Sequence, residues 1–171
     1  MDPTSPRLAP DLAFRSVGPF DIDLLSELHR LSFAESWDQP WSPQSFADVL
    51  GMPGAAGLIA VWQGEPIGFG LTLAAADEVE LLLLAILPAH RGRKSAGRLL
   101  EALLQAAAAG GARRAVLEVA AVNTPAIACY ARAGFTPCGH RKAYYAGRID
   151  ALIFERAINL PGINAKVDTE R

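Results

Sequence analysis

Leu84-Ala85-Ile86-Leu87-Pro88-Ala89-His90-Arg91-Gly92-Arg93-Lys94-Ser95-Ala96-Gly97-Arg98-Leu99-Leu100 reads as the end of an apolar strand, a short basic loop and the opening of an amphipathic helix. A helix start exposes backbone N–H groups with no intrahelical acceptor. Here those groups sit beside Arg91, Arg93 and Lys94. Such a place suits an anion, and a phosphorylated ligand is the first candidate. The bland alternative is a solvated turn. Two nucleotide motifs fail on inspection. Arg93 occupies the position before Lys94-Ser95 where a Walker A loop needs glycine, and Gly68-Phe69-Gly70 lacks the third glycine of a dinucleotide fingerprint.

Upstream of the loop, the apolar residues from Leu81 to Leu87 run without interruption, as in a strand covered on both faces, and Pro88 stops it. Downstream, Leu99, Leu100, Leu103 and Leu104 form one stripe of a helix over 95–109, ended by Gly110-Gly111. Ala115–Ala120 is a strand with Leu117 and Val119 on one face and Val116, Glu118 and Ala120 on the other. Thr124, followed by Pro125, is the expected cap of a helix that Gly134 ends. Strands at 135–145 and 151–157 close the domain.

Toward the N-terminus, 12–17 reads as a short strand and 21–33 as a helix. Residues 36–41 read as a loop, and Ser42 with Pro43 starts a helix that ends near Gly51. Strands at 58–62 and 67–73 join across Gln63-Gly64-Glu65-Pro66. The sum is an α/β (α+β) domain with a mixed sheet and helices on both faces.

The bulk numbers narrow the class. A chain of 171 residues with 51% hydrophobic and 20% charged residues suits one domain with a real core. The expected boundaries are an arm over 1–10, the domain over 11–158 and a polar tail over 159–171. A net charge of −2 disfavours a general nucleic-acid binder. Cys129 and Cys138 make no disulfide framework and no metal spacing. No signal-like or membrane-length apolar run is present, so a cytoplasmic protein without a membrane partner is expected.

The pattern Arg91-Gly92-Arg93-Lys94-Ser95-Ala96 resembles the phosphate loop of the GNAT superfamily of acetyl-CoA-dependent N-acetyltransferases, which reads Gln/Arg-x-x-Gly-x-Gly/Ala. Lys94 stands at the expected glycine. Asn123, Ala126…Tyr130 and Gly134-Phe135 also fit the superfamily. Pro40-Trp41-Ser42 with Phe46, Leu117-Glu118-Val119, Arg141-Lys142-Ala143-Tyr144-Tyr145 and Asp150-Ala151-Leu152-Ile153 are similar to its ribosomal-protein alanine N-acetyltransferase branch. The likeness runs from about Trp37 to Ala157.

The resemblance implies a mostly antiparallel sheet of six to seven strands and about four helices. It also implies acetyl transfer to a protein N-terminus, that of a small-subunit ribosomal protein, with acetyl-CoA as cosubstrate and no metal. Acetyl transfer needs an amine freed of its proton, a stabilised carbonyl oxygen and a protonated leaving thiolate. An α-amino group has a pKa of roughly 7.7–8.0, so a modest base suffices. The resemblance makes Glu118 that base, through a water, and Tyr130 the acid. It gives Leu84, Ala85 and Ile86 the oxyanion through a backbone N–H, and Arg91, Gly92, Arg93, Lys94, Ser95 and Ala96 the pyrophosphate. Asn123 precedes the expected cap, which leaves its amide free for the pantetheine arm. Trp37, Trp41, Tyr144 and Tyr145 would border the acceptor groove, with Glu35 and Asp38 attracting a basic peptide.

Each residue has a plainer reading. Glu118 would be a solvated strand residue, Tyr130 and the aromatics core, and Asn123 a turn residue. Cys129 beside Tyr130 invites a covalent route, but one residue along a helix turns it about 100° away and no histidine is placed to activate it. Two other functions stand beside the first: transfer to another protein or a small amine, and acyl-CoA sensing without turnover. Lys94 favours the sensor, while Glu118 together with Tyr130 opposes it.

Overall fold

The apolar run of 81–87 lies at the centre of a seven-stranded sheet. The computed structural model describes residues 12–34 and 41–158. The expected arm, the tail, most of the 36–41 loop, and Glu35, Trp37 and Asp38 lie outside the described residues. In chain order the elements are β1 (Leu12–Ser16), α1 (Ile22–Ser32), α2 (Pro43–Leu50), β2 (Ala55–Trp62), β3 (Glu65–Ala75), β4 (Glu78–Ile86), a 3-10 turn (Pro88–His90), α3 (Ser95–Ala109), β5 (Arg114–Ala120), α4 (Thr124–Arg132), β6 (Thr136–Tyr145) and β7 (Ile149–Ala157). The sheet order is β1-β2-β3-β4-β5-β7-β6. All neighbours are antiparallel except β4 and β5. The expected mixed, mostly antiparallel architecture with four helices is present.

Two apolar clusters hold the layers. On one side Leu99, Leu100, Leu103 and Leu104 of α3 meet Leu81 and Ile86 of β4, Leu117 and Val119 of β5, and Tyr130 and Phe135. Burying each of those leucines contributes roughly 1.5–3 kcal/mol before chain entropy is counted. Gly70 admits α3 to the sheet, since a Cβ there would stand 2.4 Å from the Leu103 side chain. On the other side Leu25 and Leu28 of α1 and Phe46 of α2 cover Ile59, Phe69, Leu71 and Ala85. This second cluster draws on β2, β3 and β4 but on none of β5, β6 or β7. Among the described residues, no helix of this cluster covers the sheet on that side beneath Glu118.

Side-chain direction along β4 shows one irregularity that positions the site. Leu71 pairs with Leu83 but Thr72 pairs with Leu81, so Leu82 is an extra residue. Leu82 and Leu83 both pack toward the second cluster, where strict alternation would have sent one the other way. Past this bulge β4 leaves β5: their ladder runs only from Glu78↔Arg114 to Leu81↔Leu117.

Several boundaries differ from the sequence reading. The β2–β3 turn is Gln63-Gly64 alone, with φ of 50° and 88°, and Glu65 and Pro66 already belong to β3. Two left-handed residues make the tight hairpin turn whose twist suits antiparallel strands. Thr124 lies inside α4, and Asn123 is its cap. Among the described residues no helix is long and apolar enough to cross a membrane.

Candidate active site

Where β4 and β5 part, a cavity of about 1290 Å3 opens. Leu84, Ala85 and Ile86 form its β4 wall, the loop and first turn of α3 one end, and Asn123, Ala126, Cys129 and Tyr130 the α4 wall. Since β5 no longer pairs with β4 beyond Leu81, the β4 backbone from Leu82 onward faces this gap without a strand partner on that side.

The basic loop takes the shape expected of an anion cradle. Gly92 and Lys94 both have positive φ, 74° and 61°, and Lys94 ends the loop as the left-handed residue before Ser95. The N–H groups from Gly92 to Gly97 have no acceptor among the described residues, while the first helical bond of α3 runs from the Arg98 N–H to the Lys94 carbonyl. A left-handed conformation at a lysine costs about 1–2 kcal/mol relative to glycine's freedom there. The loop holds it nonetheless, so the departure from glycine at Lys94 leaves a glycine-like backbone in place. Arg91, Lys94, Arg98 and Arg132 all border the cavity, and the one carboxylate there among the described residues, Glu101, is paired with Arg156 at 2.8 Å. The excess charge is positive.

Arg91 behaves differently from its neighbours. Its guanidinium donates to the Ile86 carbonyl at 3.0 Å and to the Ser32 carbonyl at 2.5 Å, and its own N–H donates to the Pro88 carbonyl. The side chain thus ties the end of β4 to the end of α1. Arg93 is exposed and does not border the cavity.

On the α4 wall, Tyr130 is 8% exposed and its ring lies against Phe135. Burial pushes its phenol well above the usual tyrosine value, helped by the neighbouring Cys129 and Tyr145. A phenol so placed stays protonated and presents a donor to the cavity. Proton transfer from it to a thiolate of ordinary pKa, about 8.5, runs uphill. A thiolate drawn into the same apolar walls is itself made more basic, which narrows the mismatch. Burial also raises the half-buried Cys129 thiol, the reverse of what activates a nucleophile. The Asn123 side-chain oxygen accepts from the Ala126 N–H at 3.3 Å, contrary to the expectation that this amide is spared from capping. Its NH2 group and one lone pair of that oxygen remain for a ligand.

Glu118 stands one residue past the last β4–β5 rung, on the sheet face opposite Tyr130 and at the edge of the gap. It does not line the cavity. Its Oε1 accepts from Arg141 Nε at 2.8 Å, and the carboxylate is 21% exposed against 55% for the arginine. Arg141 also lies over the Tyr144 ring, 5.4 Å from its centroid. Tyr144 is exposed and meets Tyr145 edge to face, while Trp41 packs against Phe46 and His29 at the second core cluster. Among the described residues no group of three or more His, Cys, Asp or Glu gathers as metal ligands would.

The Acetyltransferase (GNAT) family model matches residues 22–135. The chain belongs to the GNAT acetyltransferase family. It is an acetyl-CoA-dependent N-acetyltransferase. A candidate ribosomal protein bS18-alanine N-acetyltransferase of Bacillus subtilis (strain 168) is 32% identical over 149 residues, which cover 86% of this chain and 96% of the relative. The ribosomal protein bS18-alanine N-acetyltransferase of Escherichia coli (strain K12) is 34% identical over 125 residues, covering 71% and 83%. The crystal structure of the Escherichia coli ribosomal-protein-S18-alanine N-acetyltransferase superposes with a TM-score of 0.78 at 27% identity, over 90% of this chain and 97% of that one.

More residues border the cavity than the sequence suggested. Ser32, Phe33, Arg98, Val122, Pro125 and Arg132 border it as well. Arg98 follows from helical spacing, since it lies one turn beyond Lys94. Ser32 and Phe33 carry no local signal, because only the fold brings the end of α1 to the cavity, where Arg91 holds the Ser32 carbonyl.

Proposed function

We propose that this GNAT enzyme acetylates the N-terminal α-amine of a protein, the leading alanine of a small-subunit ribosomal protein, in the cytoplasm, through a single domain over 11–158. Acetyl-CoA would lie along the gap, its pyrophosphate on the N–H groups of Gly92 to Ala96, with Arg91, Arg93 and Lys94 as surrounding charge. Its pantetheine would pass Asn123, and its carbonyl oxygen would meet a β4 backbone N–H within Leu84–Ile86. The acceptor amine attacks the thioester carbon from the Glu118 side. The ammonium first gives one proton through a water to Glu118, which releases it to solvent; the neutral nitrogen then forms the amide bond, its second proton takes the same route, and the C–S bond breaks. The departing sulfur takes its proton from Tyr130. Trp41, Tyr144 and Tyr145 border the acceptor's path.

The observation that carries this reading is the end of the β4–β5 ladder at Leu81↔Leu117, one residue before Glu118. The strands part there, with the Glu118 carboxylate on one face of the sheet and the buried Tyr130 phenol on the other. The two relatives named for bS18 alanine acetylation cover most of the chain and support the acceptor class. Lys94, the residue favouring a sensor, keeps the left-handed backbone and so gives that reading little support.

The test is turnover of acetyl-CoA with a peptide beginning in alanine, copied from the N-terminus of the source organism's own bS18, against the same peptide blocked at its α-amine and against small amines. Turnover confined to the free peptide is expected. Turnover with small amines alone, or acetyl-CoA binding with no turnover, overturns the proposal.

A further inference from the structure

The sheet face that carries Glu118 holds more charge than acetyl transfer requires. From β4 come Glu78 and Glu80, from β5 Arg114 and Glu118, from β6 Arg141, and from β7 Glu155. The pairings Glu80↔Val116 and Glu118↔Ile153 set the two central carboxylates on one face, a strand apart. Arg114 is held by Glu78 and Glu155, the latter at 2.6 Å. Of the cations named on this face, among the described residues, Arg141 is thus the one left for the two carboxylates. It sits on Glu118, and Glu80 has no ion pair among the described residues.

Arg141 is mounted to move. Between the rungs Arg141↔Ala151 and Tyr145↔Ile149, β6 spans four steps where β7 spans two, so two extra residues loop out directly after it. Ala143 at the centre of this bulge has φ of 50° and gives its N–H to Asp150 Oδ1 at 2.8 Å. The bulge is anchored through its backbone, and among the described residues the arginine side chain is held by Glu118 and by the exposed Tyr144 ring. At neutral pH an α-amine is mostly an ammonium ion, the same kind of partner for Glu118 as the guanidinium already there.

We propose that Arg141 is a displaceable stand-in for the acceptor's amine: in the free enzyme its guanidinium occupies Glu118, and the incoming ammonium takes that place and turns Arg141 toward Glu80. Arg141 is a positioning residue in this scheme. It keeps two like charges apart while the site is empty and competes with the acceptor for the carboxylate. The electrostatics agree in direction. Partial burial, then the charges of Glu118 and Glu78, push the Glu80 carboxyl above its ordinary value, while Arg141 pulls it down. The proposal rests on the reading of Glu118 as the base.

The test is steady-state kinetics of the full-length Arg141→Met enzyme with the alanine-starting peptide, across pH. Removing a half-exposed competitor lowers the acceptor KM about two- to fivefold at pH 8. The acetyl-CoA KM stays the same. Without Arg141 the Glu80 carboxyl loses the charge that pulls it down and holds its proton to higher pH, so the acid limb of kcat/KM moves upward. Arg141→Lys keeps the charge and restores that limb. Glu80→Gln added to Arg141→Met restores it too, by removing the like charge. An acceptor KM that is unchanged or raised in Arg141→Met, or an acid limb that stays where it was, overturns the proposal. Glu118→Gln separates the underlying reading: turnover at the wild-type rate removes Glu118 as base, whereas loss of turnover in that variant with wild-type behaviour of Arg141→Met removes the displacement alone.

Discussion

Lys94 carries a conformation that suits glycine and a charge that glycine lacks, and the two have opposite consequences. Its φ of 61° is a standing strain at the mouth of α3. Lys94→Gly relieves that strain but frees the unfolded chain, so a net gain of about 0.5–1 kcal/mol in unfolding free energy is expected by denaturant titration. The same change removes a cation beside the phosphate cradle. Acetyl-CoA is expected to bind more weakly to Lys94→Gly at low salt, with the difference fading in calorimetric titrations at high salt. Tighter binding at low salt would mean that backbone geometry, and not charge, limits the wild-type loop. The sequence flagged the position as a departure but not its outcome, because a residue's type does not reveal which φ its neighbours impose. Arg91 is a similar case. It stood out as a phosphate ligand by its place in the loop, yet its side chain answers two carbonyls, the nearby one of Ile86 and that of Ser32, 59 residues away in the chain.

Helices and hairpins were legible where a local signal fixed them. The leucine stripe placed α3 over Ser95–Ala109, and Ser42 caps α2 by accepting from the Ser45 N–H. The cap of α4 was misplaced by one residue. Asn123 and Thr124 are both good caps, and only the backbone angle at Asn123 decides between them. This gives a prediction at the scale of the element. Asn123→Ala loses the bond to the Ala126 N–H and is expected to cost about 0.5–2 kcal/mol in denaturant unfolding. Because α4 carries Tyr130, turnover falls with it. Asn123→Asp keeps the capping oxygen and recovers stability. If the Asn123 amide also holds the pantetheine arm, Asn123→Asp leaves the acetyl-CoA KM raised despite that recovery. Full recovery of both would confine Asn123 to capping. The β6 bulge had no signal at all: Ala143 is an ordinary strand residue by type, and the Asp150 that holds it comes from the next strand.

At the scale of the molecule, the order β5-β7-β6 and the parting of β4 from β5 were beyond local reading, since both depend on pairings between distant strands. The parting has an energetic consequence. Four rungs join the sheet's two halves, supplemented by the α3 cluster and by the ion pair between Arg156 of β7 and Glu101 of α3. A ligand lying between β4 and α4 touches both halves and therefore stabilises their union. At a hundredfold excess over its Kd, acetyl-CoA adds about 2.7 kcal/mol to unfolding. For a domain of this size that raises Tm by roughly 5–10 °C. The gain should come with slower amide exchange at Leu84–Ile86 and at Gly92–Gly97, the two stretches that run along the cavity. Hydrogen exchange read by mass spectrometry tests the location, and a thermal scan tests the size. Protection that appears only at β1 and β2, or a Tm indifferent to the ligand, would place acetyl-CoA outside the gap and remove the geometric basis for pairing Glu118 with Tyr130.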